Sequence, residues 1–260
     1  MGKIPNSPLI EAIFELKWGE KQPGHFEYSK EEKDFFPGVF YDAIKKEEFS
    51  YSEHVGRPEE QLNLPFQVAH RFRKSEGQWP CYQIGLGIFT ANQIGNMSVG
   101  PDGIDYYDWD DFKPTILKGL SALESAIGNG ISGLTNPRIG LKYQDGFILE
   151  DGETIESFIS KKLKTNIDIS SEFLSNDKIS KSAENIRLRI SHRTLVPSGS
   201  IAISVLSAQF GGKPGLVIET EVFSQLGSSE RKLDFLAKWC EEAHDLQRHA
   251  FNTVIKTENL

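Results

Sequence analysis

The segment Asn136–Gly152, NPRIGLKYQDGFILEDG, has turn residues at both ends and alternates between them. Ile139, Leu141, Tyr143 and Phe147 suit a core face, while Arg138, Lys142 and Gln144 share the opposite face with Gly140. Such alternation commits the segment to a strand of fixed facing, since a slip of one residue would exchange its two faces. Gly140 is expected to let a helix or a ligand approach the backbone closely. The segment lies just past the middle of the chain and joins two stretches with similar patterns.

The first stretch opens with a second alternating run. Ile10, Ala12, Phe14, Leu16 and Trp18 fall on one side and Glu11, Ile13, Glu15 and Lys17 on the other. Ser29 and Glu32 have the spacing of a capping box, and Pro37–Gly38 interrupts the helix that follows, with a further helical piece over Val39–Glu48. Ser52–Asn63 reads as an exposed loop. Strands are expected over Pro65–Lys74, Trp79–Thr90 and Asn96–Val99, with a turn at Pro101–Gly103. A helix over Asp110–Gly128 carries Ile116, Leu117, Leu120, Leu123 and Ile127 at helical spacing, with Asp110 or Asp111 as its cap.

The second stretch repeats this grammar: a helix over Glu153–Lys164, a polar loop over Thr165–Glu184, and strands over Asn185–Val196, Ile201–Phe210 and Leu216–Phe223. A long helix then runs to about Ile255, with Ser228 or Ser229 as cap. Trp239, Leu246, Phe235 and Phe251 form one broad stripe on it, and Leu236, Cys240, Ala243 and Val254 another, so it needs two packing surfaces. The expected fold class is α+β, with two loosely similar halves (residues 1–152 and 153–260), each an antiparallel sheet with a long packed helix.

Composition limits the function classes. The 260 residues include 38% hydrophobic ones and 17 Phe, enough for a core, and the net charge of −8 argues against non-specific nucleic-acid binding. Two cysteines, Cys81 and Cys240, exclude a disulfide scaffold and a four-cysteine zinc site; they suit buried thiols in a reducing compartment. No apolar run approaches the roughly 20 residues of a membrane helix, and residues 1–18 lack the pattern of a signal peptide. The expected location is cytoplasmic.

Motifs of chemistry are sparse. GLGIF (85–89) lacks the third glycine of a dinucleotide fingerprint, and GGKPG (211–215) lacks the P-loop pattern. His244 and His249 are five apart, not the i, i+4 of a helical metal pair, so neither a cofactor nor a metal is expected. The densest charge pattern is on Asn185–Val196, where Arg187, Arg189, Ser191 and Arg193 share one face. These arginines face water, pair with Glu219 and Glu221 of a neighbouring strand, or hold an anion or a nucleic acid, in which case Arg71 and Arg73 extend the patch. A small-ligand site between the halves would draw on Glu11, Arg138, Lys142, Tyr143 and Arg187.

Three segments, PLIEAIFELKW, RIGLKYQDGFIL and DLQRHAFNTVI, together resemble a sporadically distributed prokaryotic family of similar length. That family is similar in its opening strand, its Gly-Leu-Arg/Lys-Tyr central strand and its C-terminal helix with a late Phe. The resemblance brings no activity with it; it implies a setting among mobile-element or defence genes. The leading expectation is a non-enzymatic binding or regulatory protein with a protein partner, a second copy of itself included. An enzyme or small-ligand receptor, and a nucleic-acid-binding protein, are the alternatives.

Overall fold

A computed structural model describes residues 8–56, 64–95, 108–164, 167 and 169–255 of the chain. Strand β1 (Leu9–Lys17) buries Ala12, Phe14 and Leu16 and leaves Glu11, Ile13, Glu15 and Lys17 half-exposed, as its alternation requires. A small hairpin, β2 (Glu20–Gln22) with β3 (His25–Phe26), leads to helix α1 (Lys30–Asp34). Ser29 and Glu32 close the expected capping box at its start. The break comes at Phe35, and α2 (Phe36–Ile44) starts afresh with Pro37 in its first turn, where a missing N–H leaves no bond unmade.

Four strands follow: β4 (Tyr51–His54), β5 (Val68–Arg73), β6 (Cys81–Gly85) and β7 (Ile88–Ile94). Two of them differ from expectation. The run Trp79–Thr90 is a hairpin, not one strand, because the chain reverses at Leu86–Gly87, with Gly87 at φ +72°. Ile84 therefore pairs with Phe89 on the buried face, while Ile88 lies on the other. GLGIF is thus a turn and not the interior of a strand. The expected loop from Ser52 begins inside β4, a short polar edge strand without the apolar alternation that would reveal it. The expected strand Asn96–Val99 and turn Pro101–Gly103 lie outside the described residues.

Helix α3 (Trp109–Ala126) is capped by Asp108, whose carboxylate accepts from the Asp110 N–H, and not by the expected Asp110 or Asp111, which fall inside its first turn. Strand β8 (Arg138–Ile148) is the central segment. Helices α4 (Ile155–Lys162) and α5 (Ser171–Leu174) precede β9 (Arg187–Thr194), β10 (Gly199–Phe210) and β11 (Lys213–Gln225). Helix α6 (Leu233–Val254) ends the described chain. Its N-cap is Lys232, without a side-chain bond; Ser228 and Ser229 belong instead to a short turn closed by Glu230 on the Gly227 N–H.

Among the described residues, nine strands form one antiparallel sheet in the order β4-β5-β6-β7-β1-β8-β11-β10-β9. One sheet takes the place of the expected two because β1 and β8 pair side by side, Ala12 opposite Tyr143 and Leu16 opposite Ile139. The wiring on each side of that seam is alike. β1 pairs with β7, the last described strand before α3, and β8 pairs with β11, the last strand before α6.

The long helices lie on one face. Phe40 and Ile44 of α2, Ile116, Leu120 and Leu123 of α3, and Leu236, Trp239 and Ala243 of α6 share a core with Phe14, Leu16, Leu141 and Val222. A smaller core sets Phe158 and Ile159 of α4 against Phe147, Leu216 and Ile218. The stripes of α6 are taken up within the chain: Leu236, Trp239, Cys240, Ala243 and Ala250 are buried, Phe235 and Leu246 pack against the main core, and Phe251 packs against the smaller one. Among the described residues, no helix is long and apolar enough to cross a membrane.

Candidate functional site: the open sheet face and the α3–α6 junction

Pairing registers carry one set of side chains across the face opposite the helices. Glu11 stands beside Gln144, which stands beside Glu219 and then Ser204 and Arg189; Ile13 stands beside Lys142, Glu221 and Ala202. Arg189 sends its guanidinium over the short side chains of β10. It bonds Glu221 at 3.0 Å, lies 3.8 Å from Glu219 and donates to Ser204 Oγ at 3.2 Å. Lys142 and Gln144 reach Glu219 from the other side at 3.6 and 3.1 Å. The expected Arg–Glu pairing is therefore present for Arg189, across one intervening strand instead of between neighbours. Arg187 and Arg193 are exposed on β9.

Arg71 and Arg73 lie on the same face but at the other end. Six strands separate β5 from β9, which at ordinary strand spacing is about 34 Å. Glu53 on β4 accepts from both Arg71 (3.1 Å) and Arg73 (3.0 Å). Burial opposes ionisation of Glu53, yet the bonds from Arg73 and Arg71 hold its carboxyl below the usual range. Arg73, itself buried, also donates to Gln78 O and stacks on Trp79. The five arginines thus form two separate groups, each wholly or partly held by carboxylates.

Between the groups sits Glu11. Asn92 donates to its carboxylate at 2.7 Å and accepts in turn from Thr90 at 2.6 Å. Burial lifts the Glu11 carboxyl above its ordinary pKa against the opposing pull of Asn92, Arg71 and Lys142. Of the five residues expected around a ligand, Glu11, Arg138, Lys142 and Arg187 share this face by register. Tyr143 is on the other face, beneath α6. Gly140 faces the open side with no close neighbour: a Cβ there would meet Val222 O at an ordinary 3.7 Å, so the close approach expected of it is not made.

On the helix side, Tyr143 takes part in a cluster that joins α3 to α6. Its hydroxyl and His244 Nδ1 share a hydrogen bond of 2.8 Å. The His244 ring stacks on Trp109 with centroids 4.1 Å apart and planes 7° from parallel. Trp109 Nε1 donates to Glu241 Oε2 at 2.9 Å, and Lys113 pairs with the other oxygen of Glu241. Burial, with Arg248 nearby, lowers the His244 pKa to about 4, so the ring is neutral at neutral pH. Burial opposes ionisation of Glu241, but the bonds from Lys113 and Trp109 hold its carboxyl low. Further along, Gln247 is buried and donates to Leu141 O and Thr220 O, pinning α6 to two sheet strands. The sequence separation of 101 residues between Tyr143 and His244 hides this cluster from any local motif.

Asp145, two residues beyond Tyr143 and on its face, is 3% exposed. Burial pushes its carboxyl up to about 7. Both cysteines are free and buried, and burial raises both thiols, Cys81 to about 11. A cleft of about 320 Å³ opens elsewhere, lined by Ser29, Glu32, Phe36, Asn129 and Leu134. Glu32 is engaged there already, accepting from Trp18 Nε1 and the Ser29 N–H. Among the described residues, no group of three or more His, Cys, Asp or Glu is arranged to hold a metal ion. In comparisons with known proteins, the chain matches no protein-family model and no curated protein.

Proposed function

We propose that this chain is a non-enzymatic binding or regulatory protein and that its open sheet face is the platform on which a protein partner sits. The observation that supports this reading is the lattice of charges laid across that face. Arg189, Glu221, Glu219, Lys142 and Gln144 are fixed by one another before any partner arrives. Groups already held in place lose little freedom on association, which favours specific docking over a broad area. The test compares tagged wild type with a Glu219→Lys/Glu221→Lys variant and a helix-side control, Lys238→Glu, in crosslinked purification from native cells. A partner retained by wild type and the control and lost by the face variant supports the reading. Equal recovery from all three folded proteins overturns it.

A second reading, a small-ligand site between the halves, draws on the α3–α6 junction. There a neutral imidazole, a phenol, an indole and a carboxylate from three elements meet at the surface. Thermal-shift screening of metabolites against wild type and His244→Ala checks it. A ligand that stabilises the first and not the second supports the site, and identical responses remove it.

A further inference from the structure

We propose that strand β9 is an acceptor edge that takes an acidic, extended segment of a partner protein as a tenth strand of the sheet; this rests on the reading of the chain as a binding protein. Among the described residues, β9 is the last strand on its side of the sheet and pairs with β10 alone. The direction of its backbone groups follows from one bond. Ser207 N–H donates to Ile186 O, so 186 and 207 form a hydrogen-bonded pair, and the antiparallel alternation turns 188, 190, 192 and 194 toward β10. The N–H and C=O groups of Arg187, Arg189, Ser191 and Arg193 therefore point outward, and none makes a backbone bond among the described residues.

Charge selects the occupant. In a chain of net charge −8, RLRISHRT carries three arginines and no acid. Arg189 is held by Glu221, whereas Arg187 and Arg193 stand exposed at either end of the strand. A second copy is disfavoured: each antiparallel pairing of β9 with itself that overlaps most of the strand sets an arginine opposite or beside an arginine. An acidic strand reverses that repulsion. Apolar surface points the same way. Ile190 on the helix-side face, and Leu195 and Val196 in the turn beyond the strand, are 45%, 85% and 66% exposed. They offer the alternate positions of an added strand an apolar surface.

The geometry specifies a pattern. In an antiparallel partner, residues opposite Arg193, Ser191, Arg189 and Arg187 share the open face, and those opposite His192, Ile190 and Leu188 share the other. The motif is acid-apolar-polar-apolar-acid-apolar-acid. The probe is a fluorescein-labelled heptapeptide of glutamate, valine, threonine, valine, glutamate, valine and glutamate, titrated against the full chain at two salt concentrations. Saturable binding that weakens with salt is expected. Ser191→Pro, which deletes an outward N–H and spares the β10 ladder, should abolish it, and Arg187→Glu/Arg193→Glu should weaken it at least tenfold.

Binding that survives Ser191→Pro in a variant with wild-type circular dichroism overturns the proposal, as does equal binding of a peptide of the same composition in scrambled order. Self-association lost in Ser191→Pro assigns the edge to a second copy, and tighter binding of an oligonucleotide than of the peptide assigns it to nucleic acid; either outcome also overturns it. Failure of the peptide while the Glu219→Lys/Glu221→Lys variant still loses a partner rejects the edge and spares the platform. Peptide binding without a face-dependent partner does the reverse.

Discussion

Asp145 and His244 depart from their ordinary acidities in opposite senses, and each leaves a mark on stability. The folded pKa of Asp145, about 7, lies above its ordinary value of 3.8. The folded chain keeps a proton that the unfolded chain releases, so this group lowers stability as pH rises from 3.8 to about 7, and the loss then levels off. Asp145→Asn should raise the melting temperature by several degrees at pH 8, for a gain of about 2 kcal/mol, and change little at pH 4. A gain independent of pH would rule out the carboxyl as its source. For His244 the folded pKa is depressed, so protonation of the unfolded chain draws stability away as pH falls from 6.5 toward 4. Its imidazole resonances should stay unshifted in an NMR titration from pH 8 to pH 5. A midpoint near 6.5 would show a ring in contact with water. Tyr143→Phe tests the same bond and should cost about 1 kcal/mol.

Elements were legible in the sequence where one face is buried and the other wet. In β1 and β8 the two faces differ enough for alternation alone to assign them. Where an apolar run crosses a tight turn, alternation misleads: Gly85-Leu86-Gly87 reads as strand interior, yet Gly87 turns the chain. The pairing of β1 with β8 was not legible, because alternation assigns faces and not neighbours. The arginine–glutamate lattice was half legible: face and charge were visible, but not that β10 lies between the partners with side chains small enough to reach over. The bond from Tyr143 to His244 had no local signal at all. The two glycine turns respond differently to a methyl group. Gly212 has φ +83° and open space around it, so Gly212→Ala should cost about 1–2 kcal/mol from backbone strain alone. At Gly87 a Cβ would also lie 2.3 Å from Tyr28 Oη and 2.6 Å from Trp18 O, so Gly87→Ala should cost clearly more. Urea midpoints measure both, and equal costs would refute the packing argument.

Across the whole molecule, α3 and α6 share one core over the β1–β8 seam. Trp18, packed on Phe36, and Trp239, bonded to Ser224 Oγ, report from opposite sides of it. A shared core predicts shared unfolding. Leu123→Ala, at a fully buried α3 position, should cost about 3 kcal/mol and move the near- and far-ultraviolet circular dichroism transitions together. If the two curves separate, the sides of the seam unfold independently.

The seam also sets a timetable. β8 leaves the ribosome with β1 already made, but its other neighbour, β11, ends only at Gln225. At synthesis rates of about 5–20 residues per second, the outer rim of β8 waits roughly 4–15 s for its partner. During that interval a nascent chain presents a long unpaired strand, and holding it apart from its neighbours on a polysome is work for a chaperone rather than for the finished fold.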